Sequence, residues 1–342
     1  MDPRKKTLTV LVTGATGFTG SHTLAALAGF DHVNVVATCR NPAKLSGRFK
    51  GEIRVGDLSD AGFRKHVLQD IDAVVHCAAW TAAWGHRSQS DTHHLRPALA
   101  FIDDVVQAGV KRFVHVSSTA LTDRNTDDDA HCVGEVTPFF PHLHNVQKIE
   151  EYMRRHADHG TTFVNMRLGF FVGSNYGLGI LPMLLPRLKT HLVPWVNGGA
   201  THLPLIDGRD IGQAMALAAT VPGLKGYESF NVIGPENPTV RDVIGFLHDE
   251  FGYPKPHFSV PFPIAYVFAG LMEAIDPLVW WEPLVTRSII HFLEEKAVTN
   301  RRAEQVLGYR AQHPWRQAVR LQIAEMARRQ IKPMSMTPPI GV

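Results

Sequence analysis

Residues 8–27 read LTVLVTGATGFTGSHTLAAL, and the order of residue types in this stretch decides the fold. An apolar run at 8–12 precedes a turn, and from Ser21 onwards apolar residues recur at helical spacing. The turn holds the glycines Gly14, Gly17 and Gly20. This order predicts a buried strand, a tight turn and a helix start, whose glycines and free N–H groups suit a diphosphate. We therefore predict a nucleotide site here, lined also by Thr16 and Phe18; the alternative is an ordinary turn.

The composition limits the class of protein. A chain of 342 residues with 44% hydrophobic content can bury a large core, and its net charge of +3 does not favour nucleic acid as a partner. The cysteines are few and scattered, at Cys39, Cys77 and Cys132. They predict a reducing, cytoplasmic setting with no disulfide framework, and we expect no signal peptide before Leu8.

Strands and helices alternate regularly over the first third of the chain. Strands are predicted at 33–37, 53–55, 73–76 and 112–116, and a helix over 95–108 stops at Gly109. This alternation with glycine punctuation is typical of an α/β fold with a parallel, doubly wound sheet.

Residues at the strand ends indicate which cofactor the sheet binds. An acidic residue after the second strand of such a fold binds the ribose 2′-hydroxyl, whereas an arginine accepts a 2′-phosphate. This chain has Arg40 there and no acid, which predicts NADP(H) rather than NAD(H); the alternative is a surface arginine. Asp57, followed by Leu58, is expected to meet the adenine amine or to cap the next helix. Ala78, a small residue after the fourth strand, would let the cofactor lie close.

A set of motifs in fixed order resembles the extended short-chain dehydrogenase/reductases of the NAD-dependent epimerase/dehydratase superfamily. The motifs are TGATGFTG at 13–20, GDL at 56–58, VVHCAA at 74–79, GVKRFVHVSS at 109–118, RLGFFVG at 167–173, PLIDGRDIG at 204–212, FNVIG at 230–234 and NRRAEQVLGY at 300–309. The resemblance covers nearly the whole chain. It is closest to the 3β-hydroxysteroid dehydrogenase-like and dihydroflavonol-reductase-like branches, and it implies a Rossmann-type fold.

The resemblance also implies a catalytic group of serine or threonine, tyrosine and lysine. In the family the tyrosine stands four residues before the lysine and about 25 residues after the serine or threonine. Here Lys148 heads a helical run, the position four residues earlier is His144, and Thr119 lies 25 residues before His144. The spacing is therefore kept while the tyrosine is replaced.

The replacement leaves three functions open. Histidine has an ordinary pKa of ~6.5 and can transfer a proton as tyrosine does, and a nearby lysine cation would favour its neutral form. His144 then supports oxidoreduction, supports proton transfer alone in a lyase, isomerase or cyclase, or marks an inactive NADP-binding protein. Tyr152, four residues after the lysine, is a replacement phenol or, in the alternative, a packing aromatic.

Aromatic residues replace polar ones around the expected substrate cleft. Trp80 and Trp84 lie in a segment that borders this cleft in the family, His94 stands where an asparagine is usual, and Phe170 and Phe171 stand where sugar-nucleotide enzymes carry an asparagine. These residues predict a hydrophobic alcohol or ketone of steroid, terpenoid or polyketide type, with packing as the alternative function of the tryptophans. The histidines lack acidic or cysteine partners at metal-binding spacing, so we expect no metal.

The later part of the chain is expected to form the substrate lobe. The predicted units are a dinucleotide-binding domain at 1–172, joined by 204–233, a lobe at 173–203 and 234–327, and a loose tail at 328–342. Within them, 205–211 and 230–232 are expected to return to the main sheet. The apolar run at 261–290 would cover the pocket, with a peripheral membrane contact as the alternative, and prolines and acids within it argue against a membrane span. A homodimer is a further hypothesis.

Overall fold

A computed structural model describes residues 7–81, 86–123, 133–278, 283 and 285–329. The first half comprises β1 (Leu8–Thr13), α1 (Phe18–Leu27), β2 (Val33–Cys39), β3 (Glu52–Val55), α2 (Ala61–Val67), β4 (Ala73–His76), α3 (Arg87–Ser90), α4 (Arg96–Gln107), β5 (Arg112–Ser118), α5 (Pro141–Arg155), β6 (Thr162–Leu168) and β7 (Phe170–Val172). The second half comprises α6 (Ile180–Leu188), β8 (Trp195–Val196), β9 (Leu205–Asp207), α7 (Gly208–Thr220), β10 (Tyr227–Val232), α8 (Val240–Phe251), β11 (Ser259–Val260), α9 (Phe262–Ile275), α10 (Arg287–His291) and α11 (Trp315–Arg329).

The main sheet has seven parallel strands in the order β10-β6-β5-β4-β1-β2-β3. The strand order reverses beside β1, because the chain first moves outwards through β2 and β3 and then returns to β4. In doubly wound sheets this reversal opens a crevice at the carboxyl ends of the strands, where ligands bind. The predicted Rossmann-type fold is confirmed.

Two apolar layers hold the helices on this sheet. Alternate residues of β1 face opposite sides, so Val10 and Val12 pack with α1 and α7, whereas Leu11 packs with α4 and α5. Leu11 is fully buried, and truncating such a residue to alanine typically costs about 2 to 5 kcal/mol of stability.

A smaller lobe follows the main sheet. Its core joins residues of α6, α8 and α11, including Leu185, Leu247 and the fully buried Trp315. A separate small cluster joins Ala265 and Ala269 of α9 to Ile290 of α10. The described elements of this lobe are mainly helical, with the two-stranded pair β8 and β11 beside them.

The structure differs from three of the predictions about individual elements. The 205–211 segment does not join the main sheet: β9 pairs with β7 in a two-stranded sheet, because β10 already occupies the edge beside β6. Lys148 does not head its helix, since Pro141 opens α5 seven residues earlier, where its missing N–H is not needed. The predicted boundary of the tail at 328 is wrong, because α11 continues to Arg329; residues 330–342 lie outside the described residues.

Candidate functional site

The glycine turn after β1 is packed tightly against the end of β4 and the start of α1. Gly14 has φ +60°, and a Cβ atom there would lie 2.7 Å from the backbone of Cys77 and Ala78 at the end of β4. A Cβ atom on Gly20 would lie 2.2 Å from the Gly14 carbonyl oxygen. The turn is thus folded onto the start of α1 with no room for a side chain. Thr16 and Gly17 are exposed at its surface, so the helix N-terminus stays accessible to an anion.

The end of β2 presents a positive charge beside an acidic side chain. Arg40 is exposed, and its charge helps to lower the pKa of Asp57, a shift whose largest cause is a backbone hydrogen bond from Ser59. Asp57 Oδ1 accepts that bond at 2.9 Å, while the capping of α2 falls to Asp60, which accepts from the Phe63 N–H at 2.6 Å. The prediction that Asp57 caps the next helix is therefore wrong, and its contact with the adenine amine stays a prediction.

Two further residues expected at the cofactor lie along the same edge of the sheet. Leu58 is partly buried and packs against the α4 side of the core. The Ala78 N–H donates to Thr13 Oγ1 at 3.2 Å, which joins the ends of β1 and β4. Thr13 Oγ1 also lies 2.9 Å from His76 Nδ1, so the strand ends are fixed by side chains as well as by the sheet.

Helix α5, which carries the expected catalytic residues, is held by a buried ion pair. The Glu150 side chain extends from α5 to the two strands β5 and β6. Ser117 Oγ of β5 donates to its Oε1 at 2.5 Å, and Arg167 Nη2 of β6 donates to its Oε2 at 2.8 Å. The Arg167 and Glu150 side chains are 2% and 0% exposed, so removing either one would leave a buried charge, at a cost of about 3 to 5 kcal/mol. Asn145 adds hydrogen bonds of 2.9 Å to Ser90 Oγ and Asp91 Oδ1.

Thr119 lies at the carboxyl end of β5, in a short 3₁₀ turn over Thr119–Leu121. It is buried, and its neighbours Ala120 and Leu121 pack against Leu143 and Val146 of α5. The turn that carries Thr119 and the helix that carries His144 are therefore in direct contact.

His144 and Lys148 stand one helical turn apart on α5. His144 is half-buried, and its pKa is lowered, first by burial and then by the charges of Arg87 and Lys148. The backbone of Thr137, which hydrogen-bonds the ring, opposes this shift. Lys148 is exposed and has no ion pair among the residues that the structure describes. This pair can therefore present a neutral imidazole and a free ammonium group to a ligand.

Tyr152 does not belong to this pair. Its hydroxyl donates to Asp103 Oδ1 at 2.6 Å, and its ring packs on His156 at a centroid distance of 4.2 Å. The hydrogen bond to Asp103 raises the pKa of Tyr152 to about 12. The prediction that Tyr152 supplies the missing phenol is therefore wrong, because its hydroxyl is directed towards Asp103 of α4.

The residues expected in the cleft wall have different surroundings. Trp80 is half-buried near His93, with ring centroids 6.2 Å apart, whereas Trp84 lies outside the described residues. His94 is only 4% exposed and packs against His142 at 5.0 Å. It belongs to a π-helical turn over Asp91–Leu95, and its contact with the substrate stays a prediction.

The two phenylalanines of β7 point to opposite sides, as neighbours on a strand do. Phe170 makes an edge contact with Phe292 at 5.2 Å, and Phe292 also contacts Phe140 at the start of α5. Phe171 instead stacks with Phe18, at 5.7 Å, beside the glycine turn. Only Phe170 therefore shares an aromatic cluster with the α5 start.

Sequence reasoning missed two charged or polar residues beside His144. Arg87 of α3 and His291 of α10 both act on its pKa. Arg87 lies in the segment already expected at the cleft, so its charge was a usable signal. His291 is distant in sequence, and no local pattern predicts its approach.

Two other features are absent from the described part of the chain. No group of three or more histidine, cysteine or acidic side chains could hold a metal ion there. Likewise, no helix among those residues is long and apolar enough to cross a membrane.

Comparison with known proteins gives one family match. The model of the NAD dependent epimerase/dehydratase family matches residues 10–233. This range contains the glycine turn, the main sheet and the whole of α5.

Several curated relatives align with most of the chain. The uncharacterized protein YbjS of Escherichia coli (strain K12) is 28% identical over 319 residues, which are 88% of this chain and 92% of the relative. The 2-alkyl-3-oxoalkanoate reductase of Stenotrophomonas maltophilia (strain K279a) is 25% identical over 304 residues, covering 85% and 89%. The chain is thus similar to a known reductase over most of the length of both proteins.

A solved structure is similar over nearly its full length. MoeE5 in complex with UDP-glucuronic acid and NAD superposes with a TM-score of 0.69 at 21% identity, and the match covers 94% of this chain and 99% of MoeE5. At this identity the likeness establishes the fold alone.

Proposed function

The chain belongs to the NAD dependent epimerase/dehydratase family, within the extended short-chain dehydrogenase/reductases, and we propose that it is an NADP(H)-dependent oxidoreductase. It would interconvert a hydroxyl and a ketone on a hydrophobic substrate, with His144 in place of the family's tyrosine. One observation carries this proposal: a half-buried imidazole stands one helical turn before a free lysine, on a helix packed against the turn of Thr119.

The residues around the glycine turn fit the expected cofactor. Gly14 and Gly20 let the turn fold tightly onto the start of α1, whose N-terminus would meet the diphosphate, and the exposed Arg40 is free to accept a 2′-phosphate. Lys148 would bind the ribose. When bound, the reduced nicotinamide supplies the hydride that converts a ketone into an alcohol.

His144 would supply the proton that balances this reaction. As the carbonyl carbon gains a hydride, its oxygen becomes negative and takes a proton from the imidazolium form of His144, so a ketone, NADPH and a proton give an alcohol and NADP⁺. Thr119 would orient the oxygen by a hydrogen bond. In the oxidative direction neutral His144 would accept the hydroxyl proton, and burial together with Arg87 and Lys148 favours this neutral form.

Aromatic side chains support a hydrophobic substrate. Phe140, Phe170 and Phe292 form a connected cluster beside the start of α5, where apolar surface would contact a ligand reaching His144. The relative from Stenotrophomonas maltophilia is named for an alkyl-substituted oxo compound, which has the ketone and the apolar chain expected here.

The test is a panel of steroid, terpenoid, aromatic and long-chain ketones incubated with NADPH. We expect NADPH absorbance to fall as an alcohol product accumulates. Product without any change in NADPH absorbance would favour a lyase, isomerase or cyclase that uses His144 for proton transfer alone. NADPH binding without product over the whole panel would favour a binding protein.

A further inference from the structure

The charged groups beside His144 are of one sign. Arg87, Lys148 and His291 each lower its pKa, and no carboxylate acts on it within the described ranges. These groups come from three separate elements, α3, α5 and α10, so their proximity is a property of the tertiary fold. An anion stabilises positive groups that lie close together and repel one another.

Arg87 has hydrogen-bonding capacity to spare. Its side chain is exposed, and Nη2 donates to the Pro138 carbonyl at 3.3 Å. No other hydrogen bond and no ion pair is formed by this guanidinium in the part of the chain that the structure describes. Its remaining N–H donors have the planar fork geometry that matches a carboxylate or a phosphate.

His291 is buried without a hydrogen bond. It is 3% exposed, and neither ring nitrogen has a hydrogen-bonding partner among the described residues. The Glu294 carboxylate lies 3.3 Å from Nδ1, outside hydrogen-bonding geometry, and Nε2 has no hydrogen-bonding partner in the described part of the chain. A buried polar atom left without a partner costs about 1 to 3 kcal/mol, so such an atom calls for a ligand or water.

Helix α10 is held against the loop that precedes α5. Ser288 Oγ donates to the Phe139 carbonyl at 3.3 Å, and the Phe292 ring contacts Phe140 at 5.1 Å. Arg87 reaches the same loop through Pro138. The loop therefore fixes Arg87 and His291 relative to His144.

We propose that Arg87 and His291 form an anion subsite beside His144, which binds a carboxylate or a phosphate ester carried by the substrate. This inference rests on the proposed function in one respect: it takes His144 as the residue beside which the substrate reacts. The substrate would thus be a hydrophobic ketone or alcohol with an acidic group close to the reacting carbon.

An anion at this position also serves proton transfer. The groups that face His144 are Arg87, Lys148, His291 and the Thr137 backbone, and Glu294 lies behind His291. A bound anion opposes the charges of Arg87 and Lys148 and favours the protonated form of His144, which is the form that donates a proton. The substrate itself would then prepare His144 for ketone reduction.

Calorimetric titration of the NADP⁺-loaded protein tests the subsite without any turnover. The probes are decanoate, decyl phosphate and decan-1-ol, which share an alkyl chain and differ in the head group. The variants are Arg87→Gln, Arg87→Lys and His291→Gln, and Arg96→Gln is the matched control, because Arg96 is an exposed arginine nearby on α4. Circular dichroism checks that each variant is folded.

We expect decanoate or decyl phosphate to bind the wild type about 10- to 100-fold more tightly than decan-1-ol, as a charged hydrogen-bonded pair would. The tighter of the two acids identifies the substrate's acidic group. Arg87→Gln should abolish this preference, Arg87→Lys and a folded His291→Gln should reduce it, and Arg96→Gln should keep it. Equal binding of the three probes, or the same loss in Arg87→Gln and Arg96→Gln, would overturn the subsite.

The two proposals fail in different ways. If neutral ketones are reduced but the acids show no preference, the oxidoreductase function holds and the subsite is wrong. If the acids bind through Arg87 but no ketone oxidises NADPH, the subsite holds and the oxidoreductase function is wrong.

Discussion

A Cβ atom on Gly14 would lie 2.7 Å from the carbonyl carbon of Cys77, so the turn after β1 touches the end of β4 with no space between them. Gly14→Ala should therefore displace the turn or β4, and its positive φ adds strain. We expect NADPH affinity to fall at least ~10-fold, together with a loss of about 1 to 3 kcal/mol in stability.

Gly245→Ala is the control for this substitution. A Cβ atom there meets open space on α8, and alanine favours a helix over glycine by about 0.5 to 1 kcal/mol. Its NADPH affinity should equal that of the wild type in a fluorescence titration. An unchanged affinity in Gly14→Ala would show that the cofactor lies elsewhere.

Arg40 is expected to select the cofactor. Arg40→Ser should weaken NADPH binding by ~10- to 100-fold and leave NADH binding nearly unchanged, because only NADPH carries the 2′-phosphate. Arg48→Ser, at another exposed arginine after β2, should change neither affinity. If the wild type binds NADH more tightly than NADPH, the NADP(H) preference is wrong.

Buried histidines should make the fold sensitive to acid. Burial lowers the pKa of His76 and His115 to about 3 and that of His142 to about 4. In the unfolded chain each pKa is ~6.5, so the unfolded state binds protons that the folded state does not. Stability should therefore fall as the pH drops below ~6.5, by about 1.4 kcal/mol per pH unit for each such histidine, until the folded pKa is reached.

Urea unfolding at about pH 7 and about pH 5 measures this loss. His115→Phe should make the dependence shallower by about 1.4 kcal/mol per pH unit, since neither ring nitrogen of His115 has a partner among the residues that the structure describes, and a phenyl ring suits the site. His159→Gln, at an exposed histidine, should leave the slope unchanged. Equal stability of the wild type at both pH values would contradict the buried neutral histidines.

Local patterns predicted most of the main sheet and not the shape of the site. The strand at 73–76 and the helix ending before Gly109 follow from apolar runs and glycine stops, which act over a few residues. The inward rotation of His94 depends on a π-helical turn, and the approach of His291 to His144 depends on how α10 docks. Such features arise from packing between distant segments, and no local period encodes them.

The proposed role of His144 could be predicted from the sequence only in part. The 25-residue spacing from Thr119 and the position before Lys148 indicated which residue to examine, but spacing is silent about chemistry. The structure adds a half-buried ring with positive neighbours.

Peripheral membrane contact through 261–290 stays a prediction. Helix α9 exposes a stripe at helical spacing, with Ile264 60%, Val267 64%, Phe268 46% and Leu271 59% exposed. The double variant Val267→Glu, Leu271→Glu should lower co-sedimentation with phosphatidylglycerol-containing vesicles about 10-fold or more, because it places charge on the apolar face.

Leu192→Glu, at an exposed leucine outside α9, is the matched control and should bind vesicles like the wild type. If the wild type does not bind vesicles, the membrane contact is wrong. Light scattering that shows a dimer in the wild type and a monomer in the double variant would instead assign the stripe to a contact between copies of the chain.

The most direct test of the whole account is the turnover of His144→Ala beside that of Tyr152→Phe, with NADPH and a ketone that the wild type reduces. His144→Ala should lower kcat by ~10² to 10⁴ and leave NADPH affinity nearly unchanged, because one general acid is lost. Tyr152→Phe should keep the wild-type kcat, since that hydroxyl is bonded to Asp103, and His144→Tyr should retain reductase activity beside Thr119 and Lys148. Wild-type turnover in His144→Ala would contradict the account, because His144 would then not carry the proton.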